Sequence, residues 1–147
     1  MLPPLIKQVR VPLPPDTAFA LFTDGIDGWW PLEVHGVFHA DSALVAYDGY
    51  AGGTITETAT DGRTASWADI VAWEPPSRIV LAWHPWTDPQ VATTVQVTFT
   101  PDDGGTEVVL THDGWEVLGA EAEQRFALYD AGWDVVFGRH FAQAAGG

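Results

Sequence analysis

Residues 119–145, GAEAEQRFALYDAGWDVVFGRHFAQAA, form the one long segment whose apolar side chains recur at helical spacing. Phe126, Tyr129, Trp133, then Val136 or Phe137, then His140 with Phe141 return every three to four residues. That is the pattern of an amphipathic helix laid against an apolar surface. Glu121, Glu123, Asp130 and Asp134 fall largely off the stripe. Gly132, beside Trp133, lowers helix propensity by about 1 kcal/mol relative to Ala. It points either to close backbone packing or to room left beside the helix.

Upstream of this segment the sequence changes character. Leu5 to Val11 reads as a strand that Pro12, Pro14 and Pro15 stop. Pro15-Asp16-Thr17 opens a helix with Ala18, Phe19, Leu21 and Phe22 on its apolar side, Pro standing where no backbone donor is needed. The turn-rich run Asp24-Gly25-Ile26-Asp27-Gly28 limits it and leaves Trp29-Trp30-Pro31-Leu32 as a second short helix or a packed loop. From Ala43 the pattern becomes short alternating runs bounded by Gly, Pro and Asp, as in an antiparallel sheet. The strand candidates are 44–48, 54–60, 64–74, 78–84, 93–100 and 106–112, with Asp61-Gly62 and Asp102-Asp103-Gly104-Gly105 as hairpin turns.

Alternation assigns faces. Val95, Val97 and Phe99 share one side of their strand and Thr94, Gln96, Thr98 and Thr100 the other, so the sheet is wet on one face. The same parity turns Ile55, Glu57 and Ala59 inward, sends His112 inward behind Val108 and Leu110, and points Ile79, Leu81 and Trp83 inward. The expectation is an α+β fold: one curved antiparallel sheet wrapped around a long C-terminal helix, with two short helices after the first strand. Polar residues facing in, and aromatics spaced by Gly132, point to a partly open space between sheet and helix.

A chain of 147 residues makes one domain over 1–147, with enough core to enclose a small-molecule site. A net charge of −14 with a single Lys argues against nucleic acid, whose recognition needs clustered Lys and Arg, and against an anionic membrane surface. No apolar run reaches the ~20 residues of a membrane span, and the first residues lack signal-peptide order; a cytoplasmic location is expected. Without Cys there are no disulfides, thiol nucleophiles or thiolate metal sites.

Taken together, PPDTAFALFTDGIDGWWPLEVH, AGGTITE, WADIVAWEPPSRIVLAWHP, TVQVTFTPDDGGTEVVLTHDGWEVLG, and Tyr129 with Gly132-Trp133 resemble the SRPBCC superfamily. This is the START-like, Bet v 1-like helix-grip group, and within it the chain is similar to bacterial homologues of the activator of the heat-shock protein 90 ATPase. Family members often carry Gly after the central Trp and Arg after the double Gly, where this chain has Ala68 and Thr54. The resemblance implies a hydrophobic ligand cavity under the last helix.

The expected occupant is a small hydrophobic or aromatic molecule, with no cofactor. Trp83 and Trp133 are the tryptophans expected to touch it, Trp30 stands at a mouth, and Val97 and Phe137 complete the apolar wall. Glu57, His112 and Tyr129 are the orienting polar groups. Glu57 and His112, with Asp69 as a weaker member, also form the only candidate acid/base set, because burial moves a carboxyl and an imidazole toward neutrality. Two further roles follow from the resemblance: a cyclase- or hydrolase-like enzyme using Glu57 and His112, and a chaperone-interaction protein. His35 and His39 invite a metal reading, but an extended HGVFH segment, at about 3.3 Å per residue, would hold them about 13 Å apart, so no metal site is assigned. A monomer or a homodimer, the latter through an edge strand or Trp86, fits the sequence.

Overall fold

The computed structural model describes residues 2–85 and 88–146; Trp86, the candidate dimer contact, lies outside them. Strand β1 (Leu5–Val11) leads into helix α1 (Pro15–Phe22). Asp16 accepts the Thr17 amide in the first turn, where the helix carries its positive end. After a short 3-10 turn at Ile26–Gly28, Trp29 and Trp30 lie in the connection, and helix α2 (Leu32–His35) begins just past Pro31. The second short helix thus starts two residues later than its tryptophans, because Pro31 sets the entry.

Six strands follow: β2 (Ser42–Tyr47), β3 (Thr54–Ala59), β4 (Thr64–Glu74), β5 (Arg78–Trp83), β6 (Thr93–Asp102) and β7 (Gly105–Asp113). They form one antiparallel sheet in the order β1-β7-β6-β5-β4-β3-β2. Asp103 and Gly104, both at positive φ (48° and 83°), make the tight turn between β6 and β7 that the Asp-Gly pair predicts. The inward faces are those the alternation assigns: Ile55, Glu57, Ala59, Ile79, Leu81, Trp83, Val95, Val97, Phe99, Val108, Leu110 and His112 are all buried. Each fully covered aliphatic or aromatic side chain among them contributes about 1.5–3 kcal/mol.

One irregularity matters for the site. Thr54 pairs with Asp69 and Ile55 with Ala68, but Thr56 pairs with Ser66, so Trp67 is the extra residue of a bulge. The bulge turns Trp67 into the core beside Ala68 and leaves Asp69 on the outer face, where its Oδ2 lies 3.2 Å from Nε2 of buried His84. Asp69 therefore does not join Glu57 and His112; a register slip at the bulge separates them.

The C-terminal helix is α3 (Ala122–Val135), continued by a π-helical stretch Val136–Phe141 and a last turn at 142–144. Residues 119–121 do not belong to it. They end a 3-10 turn from Trp115 to Glu121, in which Gly119 adopts the non-helical φ 58°, ψ −125°. The far half of the helix is packed solid: Phe137 and Phe141 stack at 5.6 Å, and Phe141 meets Phe22 and Trp29, each at 5.2 Å. Lys7 of β1 holds the exposed side of α3 through Asp130 at 2.6 Å and Asp134 at 2.9 Å. Among the described residues no helix is long and apolar enough to cross a membrane.

Candidate functional site

Where the far half of the C-terminal helix is packed, the near half stands off the sheet. A cavity of about 460 Å³ lies there, within the range of small-molecule sites. Its walls are aromatic: Trp67 and Trp83 from the sheet, Tyr129 and Trp133 from α3, and Trp30 from the connection before α2. The rings touch one another in sequence. Trp30 lies 4.8 Å from Trp67 and 6.2 Å from Trp83, Trp83 lies 5.6 Å from Trp133, and Tyr129 stacks on Trp133 at 6.1 Å. Val34 and Leu128, 66% and 63% exposed, form an apolar rim. Gly132 resolves in favour of open space: a Cβ built there would meet nothing nearer than His35 Cε1 at 3.9 Å.

Every indole N–H in the wall is already bonded within the protein. Trp30 donates to the His35 carbonyl (3.2 Å), Trp67 to Glu57 (2.8 Å), Trp83 to the Tyr129 oxygen (3.0 Å) and Trp133 to His112 Nδ1 (3.0 Å). The tryptophans thus present ring faces to the cavity, not donors.

Glu57 lies behind this wall. Its oxygens accept the amides of Val37 (2.7 Å) and Phe38 (3.0 Å), the Trp67 indole and the Ser42 hydroxyl, which approaches very closely. Burial pushes its carboxyl up, but the bonds from Ser42, Phe38, Val37 and Trp67 together outweigh that and hold it below its ordinary value. Glu57 is an ionised staple that fixes the 36–42 segment to the sheet. Gly36 is what lets the segment come so close, since a Cβ there would fall 2.9 Å from both Glu57 Oε2 and Ser42 Oγ.

His112 is likewise a core node. Nδ1 accepts the Trp133 indole, which places the proton on Nε2, and Nε2 donates to Thr93 Oγ1 at 2.7 Å. Burial pushes its pKa down to about 3, so the ring is neutral at physiological pH. Tyr129 is moved the other way: burial raises its hydroxyl to about 12 against the opposing effects of Trp83 and Arg125.

Of the residues expected at the site, Trp30, Trp83, Tyr129 and Trp133 line the cavity, whereas Glu57, Val97, His112 and Phe137 do not. Val97 and Phe137 are fully covered in the packed half, and Glu57 and His112 stand one layer back, bonded to Trp67 and Trp133. Polar residues that sequence reasoning did not place here do line it: Arg125 from α3, and His35 and His39 from the α2 region. The extended reading of HGVFH fails. His35 ends a helix and His39, at φ 48°, begins a 3-10 turn, so both reach one cavity. The His35 imidazole is pushed down by partial burial, then by His140 and His39. Among the described residues no three His, Cys, Asp or Glu side chains are grouped to hold a metal ion.

A curled antiparallel sheet gripping a C-terminal helix, with a cavity between them, is the helix-grip architecture of the SRPBCC proteins. The family model described as Activator of Hsp90 ATPase homolog 1-like protein matches residues 12–146, and the chain belongs to that family. Among solved structures it is similar to an anthrahydroquino-gamma-pyrone synthase, Txn09, with 28% identity over 88% of each chain and a TM-score of 0.61. A Bacillus halodurans protein shares the fold at TM-score 0.66 and 17% identity, over 98% of this chain and 97% of that one. A Mesorhizobium loti protein does so at 0.64 and 15%, over 96% and 95%. No curated protein matches the chain.

Proposed function

We propose that this protein binds a small apolar or aromatic molecule between the sheet and the near half of the C-terminal helix. The observation that carries the reading is the aromatic-walled space kept open at Gly132. A solid core would fill it, as Phe137 and Phe141 fill the other half. The likeness to a synthase whose name denotes a fused aromatic product supports a planar occupant.

Two substitutions at one position test this. Gly132→Ala should raise stability by up to about 1 kcal/mol, because helix propensity improves and the new methyl meets nothing closer than His35. Gly132→Leu should keep the fold but put its side chain into the space, and calorimetric titration with naphthalene-type compounds should then show no binding. A folded Gly132→Leu protein that binds as the parent does would refute the cavity as the site.

The synthase likeness also favours a second reading, an enzyme of the cyclase type. Glu57 and His112 offer it little as an acid/base pair, since the Glu57 carboxylate accepts four bonds and both His112 nitrogens are occupied. Binding is therefore the reading we favour.

A further inference from the structure

We infer that the cavity selects a planar aromatic carboxylate, with the ring system against the tryptophan faces and the carboxylate held by Arg125 and the Tyr129 hydroxyl. The inference rests on the binding reading above and adds the ligand's chemical class. It begins with what the wall leaves unbonded. The four wall indoles are all used inside the protein, so they offer a ligand only π surface, which suits an offset-stacked ring. The Tyr129 oxygen accepts the Trp83 indole, but among the described residues its own proton has no acceptor.

Arg125 stands one helical turn before Tyr129, at i and i+4, so the two side chains share a face of α3. Arg125 is 23% exposed, and its only ion pair among the described residues is a long one, 3.7 Å, to a well-exposed Glu121. Such a contact in water competes weakly with a desolvated carboxylate. The remaining polar lining residues, His35 and His39, bring no negative charge to the cavity.

The charge contrast is the second observation. The chain has 20 acidic residues against six basic ones, yet the cavity lining contains no Asp or Glu among the described residues and does contain an Arg. A cationic ligand would meet the wrong sign. A neutral hydrocarbon ring would give the phenol proton no acceptor and leave the guanidinium to its long contact with Glu121. A carboxylate satisfies both, since its two oxygens match the planar fork of Arg.

The test is calorimetric titration of the full chain at about pH 8, where ordinary histidines are neutral. The probes are 2-naphthoate, 2-naphthylmethanol and 2-naphthylmethylammonium, which share a ring and differ in the charge of the side group. We expect naphthoate to bind about tenfold or more tightly than the alcohol, and the ammonium to bind most weakly. Arg125→Gln should bring the naphthoate-to-alcohol ratio close to one, and Tyr129→Phe should reduce it by a smaller factor. If the alcohol or the ammonium binds as tightly as naphthoate, and Gly132→Leu abolishes that binding, the carboxylate inference falls while the cavity reading stands. If none of the three binds, both fall.

Discussion

Replacing Glu57 with Gln is expected to lower the unfolding free energy by about 3 kcal/mol. The substitution keeps the shape of the side chain but replaces an acceptor-only carboxylate with a group that carries two donors of its own. Glu57 accepts from Val37, Phe38, Ser42 and Trp67, so at least one donor must then face another donor in a buried site. Hydrogen bonds to a charged group contribute about 1.5–3 kcal/mol, and an unsatisfied partner adds its desolvation cost. In urea the midpoint should fall at an unchanged slope, the sign of lost stability without a changed denatured state. Gly36→Ala should act on the same contact, since its methyl would fall 2.9 Å from Glu57 Oε2 and Ser42 Oγ, and it should also disturb the end of α2, since the methyl would fall 2.6 Å from the Leu32 carbonyl oxygen. The double variant should therefore lose less than the sum of the two single losses. A Glu57→Gln protein as stable as its parent would mean that the staple is not structural and would return Glu57 to the list of reactive groups.

The second large effect is acid sensitivity centred on His112. In the unfolded chain this imidazole titrates near 6.5, while in the folded core burial holds it to about 3. Between those values the unfolded state takes up a proton that the folded state refuses. The stability due to His112 is thus complete above about pH 6.5 and is lost as the pH falls, by about 1.4 kcal/mol per unit, until the folded ring itself titrates. Glu57, held below its ordinary value, adds a loss of the same sign, but only under pH 4.5. Thermal unfolding followed from pH 7 to pH 5 stays clear of Glu57, but His35, also pushed down, adds a loss of the same sign there, so the part due to His112 is read as the difference between the parent and a His112 variant. His112→Gln can still accept from Trp133 and donate to Thr93, and it should flatten the curve in that interval. A parent protein whose stability is flat there would show that His112 is not a buried neutral node.

The sheet was legible because alternation is local. Val95, Val97 and Phe99, or Ile55, Glu57 and Ala59, show their common face within a single strand, and the hairpins carry Asp-Gly turns. The cavity lining was legible only where a residue lay on such a face or on the helical stripe, as Trp83, Tyr129 and Trp133 do. Depth behind the face is not encoded that way. Glu57 and His112 both point inward, but whether an inward group reaches the cavity or stops at a tryptophan depends on the β4 bulge that swings Trp67 under Glu57. Arg125, His35 and His39 were missed for the opposite reason. The extended reading of HGVFH set His35 and His39 apart, but helix α2 brings His35 over Gly132, and Arg125 faces the cavity from α3, one turn before Tyr129. One signal was present: Gly132 in a helical stripe marked a missing side chain, and the residues around that gap were those to inspect.

The place of β1 in the sheet has a consequence for how the protein is made. All other strand pairings join neighbours in sequence, whereas β1 pairs with β7, from Leu5 opposite His112 to Val11 opposite Thr106. During synthesis the first strand leaves the ribosome about a hundred residues before its partner exists, and loop closure over that span is slow. The β2–β7 meander can assemble hairpin by hairpin in the meantime, but Leu5 and Val11 stay uncovered until residue 113 emerges. The Lys7 contacts to Asp130 and Asp134 cannot form until the following helix does. The nascent chain therefore carries an unpaired first strand until β7 has been made.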